Sequence, residues 1–336
     1  MASTKSNWLN NAKTLRQTIE QLMHLDNDIF LWGRDIGLSG GEFNVTEGLQ
    51  DIFGEYRVWD TPISEEAILG MGVGISIYGK RTIIEMKTSS DTLSGLTQII
   101  SHASRMRNRT RGKCEVPMVI RIPIGSSDVN SFEHQSEAYE SLFAKIPGLQ
   151  VIMPSNPYDM KGLFVSAVRN NDPIIFFEDR RIYQSITDEI PNELYEVPIG
   201  KAKILRDGTT ITVVSYGAMI HEVKKAIDLL KYMNPTIEVE LIDLLTIKPF
   251  DIKTILSSIK KTGRLLVVHE ENKSFSISSE IIASVMDNNG FVSLLAPPSR
   301  LASWDIVKPL SKGQKFNDVN PEIIANKIID IVAFKY

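Results

Sequence analysis

The sequence predicts an α/β protein made of two doubly wound domains. Strand-like and helix-like patterns alternate from end to end of the 336 residues, which is typical of parallel sheets covered by helices. The strand-like segments are short, continuous apolar runs, as expected for strands buried on both faces. The alternation stops over residues 184–200, which contain two prolines and no clear period. We therefore predict a first domain over residues 1–190, a linker, and a second domain over residues 200–336.

The elements of the first domain follow from the spacing of apolar residues and from the prolines and glycines that end each run. Amphipathic or small-residue patterns predict helices over residues 12–25, 64–78, 94–107 and 158–170. Apolar runs predict buried strands over residues 29–32, 83–86, 118–122, 151–153 and 174–177. We expect Pro123 to end the strand over residues 118–122, because proline cannot donate a ladder hydrogen bond.

The second domain repeats the same alternation on a smaller scale. Apolar runs predict strands over residues 210–214, 237–242 and 264–269. Amphipathic patterns predict helices over residues 219–233, 251–261 and 276–287. The connections are short, as units of strand, helix and parallel strand require.

Composition and charge exclude several functional classes. The formal net charge is −4, so there is no electrostatic case for binding nucleic acid or an anionic membrane. No apolar stretch is long enough to span a bilayer, and the first residues lack the apolar core of a signal peptide. Cys114 is the only cysteine, so no internal disulfide can form. We expect a cytoplasmic protein.

One segment at the start of a predicted helix carries candidate chemistry. Residues 60–66 read Asp-Thr-Pro-Ile-Ser-Glu-Glu, and Ser64 is a plausible N-cap for the helix that follows. Glu65 would then lie in the first helical turn, at the carboxyl edge of the sheet, where open α/β sheets bind ligands. The alternative is that Glu65 and Glu66 only complement the helix dipole.

An ordered series of motifs resembles a known enzyme family. The first are Gly33–Gly37 (GRDIG), Gly41–Leu49 (GEFNVTEGL) and Asp60–Glu65 (DTPISE). Later matches are Gln98, Val116–Pro117, Ile146–Leu149, Met153–Ser155, Val214–Met219 and Lys261–Glu270. From about Thr14 to about Pro321, the chain resembles the beta subunits of pyruvate and branched-chain 2-oxoacid dehydrogenases, which belong to the transketolase-like superfamily. The resemblance implies a transketolase-type pyrimidine-binding domain followed by a transketolase carboxyl-terminal domain.

The resemblance also implies a thiamine diphosphate site. It places Glu65 at N1′ of the coenzyme's aminopyrimidine, where a carboxylic acid promotes the imino tautomer that activates the thiazolium ring. It places Asp35, Ile63 and Asp91 beside the same coenzyme. The reaction implied is decarboxylation of a 2-oxo acid, with the coenzyme as electron sink.

His134 is the second candidate catalytic residue. It lies in a polar segment, and the resemblance places it beside the substrate or the acyl acceptor, where an imidazole can donate a hydrogen bond or relay a proton. The alternative is a surface-loop histidine. The local spelling His134-Gln135 is more similar to transketolase than to pyruvate dehydrogenase.

The sequence lacks the motif that grips the diphosphate. Thiamine enzymes hold it through a divalent ion bound by a Gly-Asp-Gly segment and a later Asn-Asn pair, and no such combination occurs in this sequence. The resemblance therefore implies an alpha subunit that supplies the diphosphate and Mg²⁺ half of the site, in an α2β2 heterotetramer. It also implies a lipoyl acyltransferase core as a further partner.

Three features depart from the family's pattern. The family's aromatic residue at the pyrimidine ring is Asp91, and a usual glutamate near the strand end is Arg34. The loop over residues 124–133, usually rich in glycine, has a different composition. A carboxylate at position 91 is costly unless it is paired, and Lys87 is the nearest candidate partner in sequence. We expect Asp91→Phe to tighten coenzyme binding by about 1 kcal/mol.

The resemblance further implies a monovalent-cation site, such as one for K⁺. Its ligands would be main-chain carbonyls and short polar side chains, at Met118, Ala167, Val168, Asn170 and Asp172. Polar residues that only cap the end of a helix before Pro173 would give the same pattern.

Two alternatives to the dehydrogenase function stay open. One is half of a split transketolase-like or acyloin-forming enzyme, with an aldehyde or a sugar as the acceptor; the His134-Gln135 spelling and the altered loop favour it. The other is a structural subunit without activity, indicated only by Asp91 and disfavoured by the presence of both Glu65 and His134.

Overall fold

The computed structural model describes residues 6–125, 133–309 and 313–335. The described residues form two compact units, which meet in sequence between Ile199 and Gly200. Each unit is an α/β structure with a largely parallel sheet, so the predicted fold class is confirmed. Within the described residues, no helix combines the length and the apolar character needed to cross a bilayer.

The first unit is organised around parallel strands. Their spatial order is Gln150–Ile152, Ile174–Asp179, Met118–Ile124, Arg81–Glu85, Ile29–Gly33 and Val58–Asp60. Since all run in the same direction, their carboxyl ends share one edge of the sheet. A separate antiparallel pair joins Ser6–Asn10 to Thr187–Pro191, so part of the segment predicted as a linker is a strand of this unit.

Helices cover this sheet. They span Asn11–Leu25, Leu49–Phe53, Glu65–Ile77, Ser89–Ser94, Met106–Arg109, Glu133–Ser136, Glu140–Ala144 and Pro157–Arg169. Shorter 3₁₀ turns span Glu42–Asn44, Ala103–Arg105 and Arg180–Ile182, and Gln98–His102 is a π-helix.

Two predictions for this unit were wrong in detail. The continuous helix expected over residues 94–107 is broken into the π-helix, a 3₁₀ turn and a short α-helix. The strand expected to end before Pro123 continues to Ile124. Proline is tolerated there because the paired part of the Arg81–Glu85 strand has ended, so Pro123 pairs only with the Ile174–Asp179 strand.

The second unit has its own sheet, whose strands lie in the order Ser299–Ser303, Leu265–Asn272, Ile211–Ser215, Val239–Asp243 and Lys203–Arg206. Lys203–Arg206 is antiparallel to its neighbour, and the other pairs are parallel. A further short strand spans Thr246–Lys248. Helices span Met219–Met233, Ile252–Thr262, Ile277–Asp287, Gln314–Asn317 and Pro321–Val332, and a 3₁₀ turn spans Gly290–Ser293. Buried side chains such as Val213, Val223, Leu241 and Ile324 form the core between sheet and helices.

Candidate active site

Glu65 begins a helix at the carboxyl edge of the first sheet. The chain leaves the Val58–Asp60 strand, Thr61 N–H donates to the carbonyl of Gly33 over 3.0 Å, and the helix runs from Glu65 to Ile77. Ser64 occupies the N-cap position as predicted, but its side chain makes no capping hydrogen bond. The geometry therefore places a carboxylate in the first helical turn, where the helix dipole favours negative charge.

The loop after the neighbouring strand is fixed against this edge. The carboxylate of Asp60 accepts hydrogen bonds from the N–H groups of Gly37 (2.7 Å) and Leu38 (3.1 Å). Asp35, in the same loop, is exposed and has a positive φ of 56°, and its carbonyl accepts from Gly41 N–H over 2.9 Å. Ile63 is 73% exposed. Asp35 and Ile63 thus lie on segments that flank Glu65.

Arg34 connects Glu65 to Asp91. Its Nη1 lies 3.3 Å from Oε1 of Glu65 and 3.8 Å from Oδ2 of Asp91. The side chain of Glu65 is 13% exposed, that of Arg34 26% and that of Asp91 27%. Two positions that depart from the family pattern therefore lie together at the candidate catalytic carboxylate.

Lys87, the nearest candidate partner of Asp91 in sequence, lies beside a different carboxylate. Nζ of Lys87 lies 4.0 Å from Oε1 of Glu85 instead. Asp91 lies in the first turn of the Ser89–Ser94 helix, where its N–H donates to the hydroxyl of Thr88. In this helical turn Asp91 lies beside Arg34. Arg34 is distant in sequence, so local spacing could not identify it as the partner.

A close main-chain contact supports the start of the Glu65 helix. A Cβ atom at Gly95 would lie 2.8 Å from the carbonyl oxygen of Glu65 and 2.5 Å from Cδ1 of Leu69. Only glycine allows the segment after the Ser89–Ser94 helix to pack this closely against Glu65. The two segments that carry Glu65 and Asp91 are therefore held together by packing as well as by charge.

His134 lies in the short helix Glu133–Ser136 and is exposed. Most of the loop before it, residues 126–132, lies outside the described residues, so the altered loop composition keeps its status as a prediction. The role of His134 likewise stays a prediction.

Arg81 accounts for much of the polar pattern expected of a cation site. Its Nη1 donates to the carbonyls of Val168 and Asn170, each over 2.9 Å, at the end of the Pro157–Arg169 helix. The Asp172 carboxylate accepts from Arg107. Ala167 O accepts from Asn170 N–H, and Met118 is buried in its strand. In the described part of the chain, no three His, Cys, Asp or Glu side chains are grouped to hold a metal ion.

A buried charge network lies at the same edge of the sheet and was not predicted. Arg121 is fully buried and donates to Oε2 of Glu85 (2.7 Å) and to both carboxylate oxygens of Glu178 (2.7 and 2.9 Å). The hydroxyl of Tyr183 also donates to Glu178. Burial raises the pKa of Glu178 in spite of Arg121, and burial with the Glu178 carboxylate raises the pKa of Tyr183.

The network extends to Glu42, which lies between the Ile29–Gly33 strand and the Leu49–Phe53 helix. The second oxygen of Glu85 accepts from the N–H of Glu42 over 2.9 Å, and Arg180 pairs with the carboxylate of Glu42 at 3.2 Å. A signal for it exists in the sequence. Arg121 interrupts an apolar central strand, where an unpaired charge would be prohibitively costly. Charged residues at the ends of the two neighbouring strands, Glu85 and Glu178, are the natural partners.

Comparisons with known proteins agree with this architecture. The family described as transketolase, pyrimidine binding domain matches residues 8–185, and the transketolase C-terminal domain matches residues 200–323. Pyruvate dehydrogenase E1 component subunit beta of Acholeplasma laidlawii is 46% identical over 93% of this chain and 94% of that protein. The 2-oxoisovalerate dehydrogenase subunit beta of Bacillus subtilis is 39% identical over 94% of this chain and 96% of that protein.

A solved structure with a similar fold is a split-gene transketolase, described as an inactive beta4 tetramer. It superposes with a TM-score of 0.79 over 98% of this chain and 99% of that chain, at 13% identity. At that identity the likeness concerns the fold alone. Together, the two domain matches and the nearly full-length relatives show that the chain belongs to the family of 2-oxoacid dehydrogenase E1 beta subunits.

Proposed function

We propose that the chain is the beta half of a two-component thiamine-diphosphate enzyme that decarboxylates a 2-oxo acid and transfers the acyl unit to a lipoyl carrier. The observation that carries the proposal is the Glu65 carboxylate, which is largely buried in the first turn of a helix at the carboxyl edge of the sheet. Relatives named as pyruvate and 2-oxoisovalerate dehydrogenase beta subunits support the reaction class.

The residues at this edge fit an aminopyrimidine. Arg34 engages Oε1 of Glu65, and we assign Oε2 to the ring nitrogen N1′. Ile63 offers an exposed apolar surface for a heterocycle, and Asp35 lies on the flanking loop. When bound, thiamine diphosphate supplies the electron sink for decarboxylation. Glu65 would share a proton with N1′ of the bound coenzyme, which would favour the reactive tautomer.

His134 is proposed to act on the substrate side. As an exposed imidazole it can donate a hydrogen bond to a carbonyl oxygen or relay a proton at neutral pH.

The partners are part of the same proposal. The sequence lacks a diphosphate-gripping motif, so an alpha subunit would bind the diphosphate and Mg²⁺ in an α2β2 heterotetramer, with a lipoyl acyltransferase core as the acyl acceptor. We place the assembly in the cytoplasm. A K⁺ ion at the Pro157–Arg169 helix end would compete with Arg81, which already supplies positive charge to the carbonyls there.

A split transketolase-like or acyloin-forming enzyme is the second candidate function. The spelling His134-Gln135 and the altered composition of the loop over residues 124–133 favour it, because both would change the surface next to an acceptor. Reconstitution with the alpha subunit separates the two candidates. The dehydrogenase would reduce an artificial electron acceptor or acylate a lipoyl domain, whereas the rival would form a carbon–carbon bond with an added aldehyde.

Glu65→Gln tests the central assignment. The amide keeps the size of the side chain and one hydrogen bond, but it cannot exchange the proton that sets the tautomer. We expect the α2β2 complex to form and its kcat to fall by about 100-fold or more. The measurement is steady-state turnover of a panel of 2-oxo acids by the purified complex.

Glu66→Gln is the matched control. Glu66 is the next residue of the same helical turn, is exposed, and bonds to Gln98 over 3.3 Å, so its amide variant should keep nearly full turnover. Near-normal turnover of the Glu65 variant would show that another group activates the coenzyme.

A further inference from the structure

Arg34 and Asp91 are brought to Glu65 from two separate segments. Arg34 follows the Ile29–Gly33 strand, and Asp91 lies in the Ser89–Ser94 helix. The guanidinium of Arg34 stands between the two carboxylates, 3.3 Å from that of Glu65 and 3.8 Å from that of Asp91. One cation is thus shared by two anions, and the cluster carries a net charge of one negative unit.

The shared cation makes the two carboxylates interdependent. All three side chains are mostly buried, so the charges are only partly screened by water. Removing Arg34 would leave two neighbouring carboxylates without a counter-charge, which favours protonation of one of them. Removing Asp91 would leave Glu65 as the one carboxylate of the cluster that contacts Arg34.

Other charged groups on the packed elements have different partners. The Glu65 helix packs against the Arg81–Glu85 and Met118–Ile124 strands, the Ser89–Ser94 helix and the π-helix Gln98–His102. Arg81 bonds to main-chain carbonyls, and Glu85 pairs with Arg121. The remaining titratable groups on these elements and on the helix itself are His102, at the end of the π-helix, and Glu66, which bonds to Gln98.

We propose that Arg34 is a positioning residue that acts through Glu65, and that Asp91 sets the strength of its hold. The proposal rests on the proposed function, because it takes Glu65 as the residue that binds the coenzyme. It also gives Asp91 a role, because its carboxylate shares Arg34 with Glu65. Without Asp91, Arg34 would bind Glu65 alone and would hold the Glu65 carboxylate away from the ring nitrogen of the coenzyme.

The test compares Arg34→Gln, Asp91→Asn, their combination and Arg34→Lys in the reconstituted complex. The readout is kcat against pH with the best 2-oxo acid. We expect the acid limb to move in opposite directions in Arg34→Gln and Asp91→Asn, to higher pH in the first and to lower pH in the second, since the two changes remove opposite charges. The double variant should lie between them, and Arg34→Lys should restore most of the wild-type profile.

A second readout does not depend on catalysis. Thermal unfolding of the isolated chain, measured for the wild type, both single variants and the double variant, gives the coupling between positions 34 and 91. We expect non-additive changes in Tm. Additive changes in Tm would overturn the inference. So would a pH profile, measured with an active wild-type complex as reference, in which the acid limbs of the two single variants move in the same direction or do not move. If the Tm changes of the isolated chain are non-additive but the reconstituted wild-type complex turns over no 2-oxo acid, the contact is upheld and the proposed function is refuted instead.

Discussion

The buried charge network allows a stability prediction whose size and pH dependence both follow from the structure. Arg121 makes three charge-assisted hydrogen bonds of 2.7, 2.7 and 2.9 Å, and neither it nor its partners Glu85 and Glu178 reach solvent. In Arg121→Met the two carboxylates would stay buried without the guanidinium they share, and the more distant Lys87, 4.0 Å from Oε1 of Glu85, would remain as a cation. Breaking a buried ion pair in this way costs about 3–5 kcal/mol.

The corresponding fall in Tm is large enough to measure directly. In a unit of this size, each kcal/mol shifts Tm by roughly 2–4 °C, so Arg121→Met should lower Tm by about 10 °C at pH 8. The assay is thermal unfolding followed by circular dichroism at a fixed protein concentration. Arg169→Met is the control, because the Arg169–Glu196 pair is 50% and 52% exposed and should contribute less than about 1 kcal/mol.

The pH dependence of Tm provides a result that could refute this reasoning. Burial raises the pKa of Glu178 in the folded state, so the stability that its protonated form contributes is present at low pH and is lost as pH rises through that pKa. Without Arg121, the stability lost as pH rises is larger, because no guanidinium offsets the buried charge of Glu178. The gap in Tm between variant and wild type should therefore narrow from pH 8 to pH 5.5. A gap below 2 °C at pH 8, or one that widens on acidification, would contradict the ionic account of this network.

Two further outcomes are expected. The isolated chain should show no measurable binding of thiamine diphosphate by calorimetry, because it lacks the diphosphate motif, and tight Mg²⁺-dependent binding without a partner would contradict this. Gly148→Ala should destabilise the chain by at least about 2 kcal/mol in urea unfolding, since Gly148 has a φ of 81° and an added Cβ would overlap the carbonyl of Ser104. Gly74→Ala, in an open position of the Glu65–Ile77 helix, should instead be neutral or stabilising.

Much of the fold could be predicted from local patterns. The helices near residues 12–25, 158–170 and 219–233 were found because amphipathic spacing is a local property of the sequence. The break at Gln98–His102 was missed because a π-helix depends on packing that the sequence pattern does not reveal. The strand Lys203–Arg206 was missed because its residues are mostly exposed and lack an apolar run.

In the candidate site, too, the features that depend on neighbouring residues were predicted and the contacts between distant residues were not. Glu65 was found because Pro62, Ser64 and the following helix are neighbours in the sequence. For Asp91 the sequence offered only Lys87 as a nearby candidate partner, whereas the structure brings Arg34 from another strand end. With Arg34 as its partner, the case for Asp91→Phe reverses, because that change would leave Arg34 with Glu65 alone.

The network around Arg121 also constrains how this sequence can change over generations. A substitution at Arg121 alone leaves both buried carboxylates without their shared guanidinium, and a substitution at Glu85 or Glu178 alone removes hydrogen-bond acceptors from the buried Arg121, so each first step on a route to another solution is deleterious. An apolar replacement of the whole set is physically acceptable, but it needs several changes at once. The three positions are therefore expected to persist or vanish together among homologues, while a surface pair such as Arg169 and Glu196 can be lost one residue at a time.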